Sequence, residues 1–82
     1  MDDPEIIALL PAIEEQLKSP DTPFVSQALA TLLEEDDIEE AEAKYMLAFC
    51  LADEIEKMNK EGRGFHLERY QMLLSLLPTL PE

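Results

Sequence analysis

Residues 37–60 contain neither glycine nor proline, and the eight at their centre, Tyr45-Met46-Leu47-Ala48-Phe49-Cys50-Leu51-Ala52, are all apolar. Such a stretch reads as one helix of roughly 23 residues, about 35 Å long at the standard rise. A helix that is apolar around its whole circumference has to be buried around its whole circumference. About three neighbouring helices can do this, and the rest of an 82-residue chain has room for three. The expectation is therefore an all-α, compact four-helix domain, 1–82, with the long third helix as its central post. A second subunit is not needed to cover it, so a monomer is expected rather than an obligate oligomer.

The other helices are bounded by prolines and glycines. Asp2 or Asp3 can cap the first, with Pro4 in its first turn and Glu5 at the positive end of the dipole. Ile6, Leu10, Ile13 and Leu17 then recur on one helical face. Pro11 falls inside this run, but the stripe keeps its phase through it, which favours a kinked helix over 4–18. The alternative is a helix that begins at Pro11, preceded by a separate turn over 4–10. Asp21 or Thr22 caps the second helix, 23–34, whose apolar positions are Phe24, Val25, Ala28, Leu29, Leu32 and Leu33. Asp36 or Asp37 caps the third helix, 37–60, with Glu39 or Glu40 in capping-box register and Gly62 as the stop. The fourth, 66–77, carries Leu67, Tyr70, Leu73, Leu74 and Leu77 on one face and ends at Pro78. Ala48, Leu51, Ala52 and Ile55 are expected among the most buried residues.

Charge excludes several function classes. Nineteen acids against six bases leave a net charge of -13, which opposes binding to nucleic acid or to an anionic membrane. The longest apolar run is far shorter than the ~20 residues a membrane span needs. A single cysteine cannot close a disulfide within the chain, and no basic, then apolar, leader opens it. The expected setting is cytoplasmic.

The candidate chemistry is sparse. Glu34, Glu35, Asp36, Asp37, Glu39, Glu40 and Glu42 place seven carboxylates in nine residues. An EF-hand loop requires a glycine at its sixth position, and this segment has none. It reads as a solvated helix start, with weak divalent association or docking to a basic partner as the functional alternatives. Asp53, Glu54 and Glu56 follow the apolar centre of the third helix, which leaves partial enclosure of one of them as the alternative, but nothing convergent accompanies them, so they read as surface acids. Arg63 and Arg69 should find acids at the surface, with Asp53, Glu56 or Glu68 as partners. His66, alone, and Cys50, in apolar surroundings, do not assemble the three or four ligands of a zinc site. Ser19, Ser26 and Ser75 have no defined histidine partner, and no glycine-rich phosphate loop exists. Size and charge match the acyl carrier proteins, but the Asp-Ser-Leu attachment motif is missing.

Leu51-Ala52-Asp53-Glu54-Ile55, Gly62-Arg63-Gly64-Phe65 and Glu68-Arg69-Tyr70, with Ala12-Ile13-Glu14-Glu15-Gln16-Leu17 upstream, resemble a family of small, functionally uncharacterised bacterial helical domains. That family's pattern runs H-E-A-x-H, L-A-E-x-I, R-P-F and R-Y. The resemblance covers most of the chain and implies a helical fold without implying an activity. The family's histidine pair, spaced to hold a metal, is absent: Ala41 and Tyr45 stand in its place and only Glu42 is kept. Gly64 replaces the proline. Phe65 is placed to pack back on the last helix as a hydrophobic staple, and Tyr70 to bury its ring while its hydroxyl finds a partner.

The sequence thus reads as a non-enzymatic interaction domain without cofactor, with a basic protein as its partner and residues 34–42 as the docking segment. The alternatives are a metal-dependent accessory protein or enzyme with an unrecognised site, and a nucleic-acid mimic. From the ligand count, titration calorimetry with zinc should show no stoichiometric binding tighter than ~micromolar. Tight binding that disappears in His66→Ala would contradict it.

Overall fold

The computed structural model describes residues 3–81, and among these the secondary structure is entirely helical. The helices are α1 (Pro4–Ile7), α2 (Leu10–Lys18), α3 (Pro23–Leu33), α4 (Glu40–Glu61) and α5 (Leu67–Ser75). Helix α4 touches all four others, and α3 also packs on α2 and α5. At about 33 Å, α4 nearly spans the long dimension of a molecule measuring 39 × 29 × 22 Å. This is the four-helix domain with a central post, its first helix divided into α1 and α2.

Pro11 causes that division. A proline ring clashes with the carbonyl four residues earlier, which here belongs to Ile7, the last residue of α1. The chain answers with a tight turn, in which the Leu9 N–H donates to the Ile6 carbonyl at 2.9 Å. Pro11 then occupies the first turn of α2, where its missing N–H leaves nothing unpaired. The kinked continuous helix is therefore corrected to two helices. The apolar stripe nevertheless crosses the break, with Ile6 and Ile13 buried and Leu10 and Leu17 packed beside them. The Asp3 side chain accepts the Glu5 N–H at 2.9 Å, which caps α1. The alternative cap, Asp2, lies outside the described residues.

The other caps depart from expectation in two places. Thr22 precedes α3 but turns its hydroxyl away, donating to the Gln16 carbonyl at 2.7 Å and so closing the end of α2. Helix α4 begins at Glu40 and not near residue 37, because 34–39 form a turn in which the Ile38 N–H reaches back to the Glu35 carbonyl. Neither Asp36 nor Asp37 caps it. At its far end Gly62 adopts φ 62°, a left-handed conformation that a side chain would strain. The Arg63 N–H then donates to the Met58 carbonyl at 3.1 Å, the long bond of a Schellman turn.

The core is a stripe along α4 made of Ala43, Leu47, Ala48, Cys50 and Leu51, met by Ile13, Val25, Leu32, Tyr70, Leu73 and Leu74. Tyr70 anchors α5. Phe24 and Phe65 meet its ring edge-on, at 6.0 and 5.6 Å, and its hydroxyl donates to Gln16 Oε1 at 2.6 Å. Leu33 and Leu67, expected on core faces, are exposed, since each sits in a terminal turn where its helix has run past its neighbours. Ala52 and Ile55 are only half-buried, because the α4 face that includes Phe49 opens onto solvent between α1 and the C-terminal segment. Leu51→Ala should cost about 2–5 kcal/mol, as deletion of a buried leucine does. Urea denaturation with an unchanged midpoint would contradict this placement.

Candidate functional site

One more residue lies in phase with the buried stripe of α4: Glu54, three residues after Leu51 and fully buried. A carboxylate can stay ionised in such a place only if every lone pair is engaged. Here four donors converge on it. Arg63 binds both oxygens, at 2.8 and 3.2 Å, Arg69 binds Oε1 at 2.9 Å, and the His66 N–H donates to Oε2 at 2.7 Å. The arginines are anchored in turn, Arg63 by Glu61 at 2.6 Å and Arg69 by Asp53 at 2.6 Å. Glu54 is thus corrected from a surface acid to the centre of a buried ion cluster. Asp53 alone of the three expected partners is met by an arginine; Glu56 instead pairs with Lys60.

Local structure accounts for the convergence. The Schellman turn at Gly62 sends the chain back along α4, which brings Arg63 level with a residue two helical turns earlier. His66 occupies the N-cap position of α5 without a side-chain cap. In a capping box the N-cap N–H is satisfied by an acidic residue at the third helical position. That position here is Arg69, so the acceptor comes from α4 instead, and Arg69 grips the same carboxylate. Phe65 and Tyr70 complete the motif as its hydrophobic staple.

The cluster holds the Glu54 carboxyl down to about 2, chiefly through the Arg63 hydrogen bond and with help from His66 and Arg69, against the upward push of burial. A group so clamped is neither an acid nor a base at neutral pH. Burial, with a smaller contribution from the Asp53 charge, pushes the Cys50 thiol up to about 12, leaving it protonated and unreactive. Every buried side-chain nitrogen and oxygen among the described residues has a hydrogen-bond partner. No three His, Cys, Asp or Glu side chains among them are grouped to hold a metal ion.

The seven acids of 34–42 sit where α3 ends and α4 begins. Glu42 is half-buried and the other six are exposed. Ile38 tucks into the core between them and anchors the turn. Lys44 bridges Glu40 at 3.1 Å and Glu14 at 2.8 Å, and it is the one cation that reaches this segment among the described residues. Elsewhere Lys57, Lys60, Arg63 and Arg69 all engage acids. Five of the six bases are therefore neutralised within the fold, and residues 19–43 contain none. The structure leaves an uncompensated negative surface there.

A groove of about 700 Å³ lies at the other end of α4. Ile6 and Leu9 form one wall, Phe49, Ala52 and Ile55 the floor, and Pro81 closes part of the rim. Asp3, Glu5, Asp53 and Glu56 edge it against a single ammonium, that of Lys60. The sequence did signal Glu54, through its phase with Leu47, Cys50 and Leu51 and through two arginines within 15 residues. It carried no signal for the groove, which exists because α1 is only one turn long and leaves the outer face of α4 half-covered.

No protein-family model, curated protein or solved structure matches this chain. No helix among the described residues is long and apolar enough to cross a membrane. Asp53, Arg63 and Arg69 take part in the Glu54 cluster, and Phe65 and Tyr70, the neighbours of His66 and Arg69 in the chain, pack edge-on against each other.

Because Glu54 titrates lower folded than unfolded, its contribution is present above its ordinary pKa and is lost as pH falls from about 5 towards 2. Glu54→Gln should cost about 3–5 kcal/mol at pH 7, as breaking a buried pair does. The gap between wild type and variant should close as pH falls through that window. Denaturation series on both proteins from pH 7 to 2.5 test this, and a gap independent of pH would refute it.

Proposed function

We propose that this protein is a non-enzymatic interaction domain whose partner presents a basic surface. The observation behind this reading is the imbalance of charge after folding: five of six bases are engaged by acids of the same chain, while the five exposed acids Glu34, Glu35, Asp36, Asp37 and Glu39 meet no cation among the described residues and keep their field. That field extends about a Debye length, ~8–10 Å at physiological salt. It attracts a basic partner and accelerates encounter more than it strengthens the final complex.

The test begins with affinity capture from the native cell at two salt concentrations, followed by surface plasmon resonance on the captured partner. Association should slow by about tenfold or more as salt rises, the usual scale of electrostatic steering. Replacing Glu34, Glu35 and Glu39 by glutamine, with Glu40 left to Lys44, should slow it similarly while leaving the melting temperature unchanged or raised, since like-charge repulsion is relieved. An on-rate indifferent to both changes removes the acidic segment from the mechanism.

A further inference from the structure

We infer that the groove between α1 and the C-terminal half of α4 is the seat of the partner, and that it receives one amphipathic helix with basic residues flanking its apolar stripe. This rests on the basic-partner reading above and adds the site and the form of the ligand.

Three observations select this occupant. The first is shape. Along α4 the groove runs from Phe49 to Lys60, about 16 Å at the helical rise, which matches three turns of a docked helix. Helix-in-groove recognition uses apolar anchors at i, i+3 or i+4 and i+7 over such a length. The second is chemistry. Ile6, Leu9, Phe49, Ala52 and Ile55 offer an apolar bed without an unsatisfied buried polar atom. A small-molecule site would instead aim a few polar groups inward.

The third is charge. Asp3, Glu5 and Glu56 stand exposed on the rim, Asp53 is held by Arg69, and Lys60 is held by Glu56 at 2.9 Å. The rim carboxylates that no cation holds among the described residues, Asp3 and Glu5, therefore lie on the α1 side, and lysines or arginines along that flank of the ligand meet them. A second copy of this chain, at -13, brings repulsion to the same place. The groove begins nine residues, or about 14 Å, beyond Glu40, so the two surfaces have separate tasks. The acidic segment governs arrival, and the groove governs residence.

The test is a titration of the isotope-labelled full chain, followed by amide NMR shifts. The probe is an 18-residue peptide of leucine and lysine in amphipathic order. Its controls are the same composition permuted to destroy the stripe and a leucine–glutamate counterpart. The expected result is saturable shifts centred on Ile6, Leu9, Phe49, Ala52 and Ile55, with at least tenfold weaker binding by each control. Ala52→Trp, which fills the groove, and Ile55→Glu, which puts charge on its floor, should each weaken binding at least tenfold. Retained helical circular dichroism is the criterion for reading either variant. Shifts confined to 34–42, with the permuted peptide bound equally well, overturn the groove and leave the basic-partner reading standing. Equal binding of the leucine–glutamate peptide overturns the choice of a basic occupant and that reading with it. Absence of saturable binding overturns the groove, while the on-rate test above still decides the wider reading.

Discussion

A carboxylate with no access to water, Glu54, joins the end of the central helix to the start of the last one. Its four hydrogen bonds engage a side chain after the Gly62 turn, a side chain within α5 and the backbone N–H that opens α5. Removing two kinds of charge from water costs nearly what their attraction returns, so such a cluster is a weak source of net stability. Its consequence is geometric. An ionised group in a dry site tolerates only the arrangement in which all its acceptors are filled, and that arrangement sets where α5 begins. From there Tyr70 falls between Phe24 and Phe65 with its hydroxyl on Gln16, and α5 closes over α3 and α4.

The same economy of cations shapes the surface. With six bases in the chain, the two arginines committed to Glu54 and the three lysines bound to glutamates leave little to balance the remaining acids. The negative field at the α3–α4 junction is therefore a by-product of how the interior was assembled. At the opposite end of α4, a one-turn α1 leaves an apolar face half-covered and edged with acids. A single helix thus carries a charged surface at one end and an apolar groove at the other. On the function proposed above, the two surfaces act on one ligand that is both basic and apolar.

The helical skeleton was legible because it depends on local rules. Proline and glycine placement gave the boundaries to within a few residues, and Phe65 was placed as a staple on the last helix, with Tyr70 as the ring it meets supplied by the fold. The errors have a common origin. Pro11 splits the first helix because its ring meets the Ile7 carbonyl, a clash that an apolar stripe cannot report, since the stripe survives the break. The acids at 36 and 37 satisfy a capping pattern, but a turn anchored by Ile38 delays α4 to Glu40. Leu33 and Leu67 share the phase of the core yet lie in terminal turns, where their neighbours cover them only in part.

By itself, the sequence determined the helical class, the central position of the long helix expected over 37–60, the turn at Gly62 and the large negative charge. These follow from backbone propensity, hydrophobic period and composition, which act over a few residues or over the chain as a whole. Tertiary structure decided that Glu54 is interior and Ala52 is not, that Arg63 and Arg69 share one carboxylate, and that a groove opens beside α1. Residues 54, 63, 66 and 69 meet only after the chain has turned back on itself. The burial of a charge, unlike that of a leucine, depends on whether partners arrive from elsewhere in the fold.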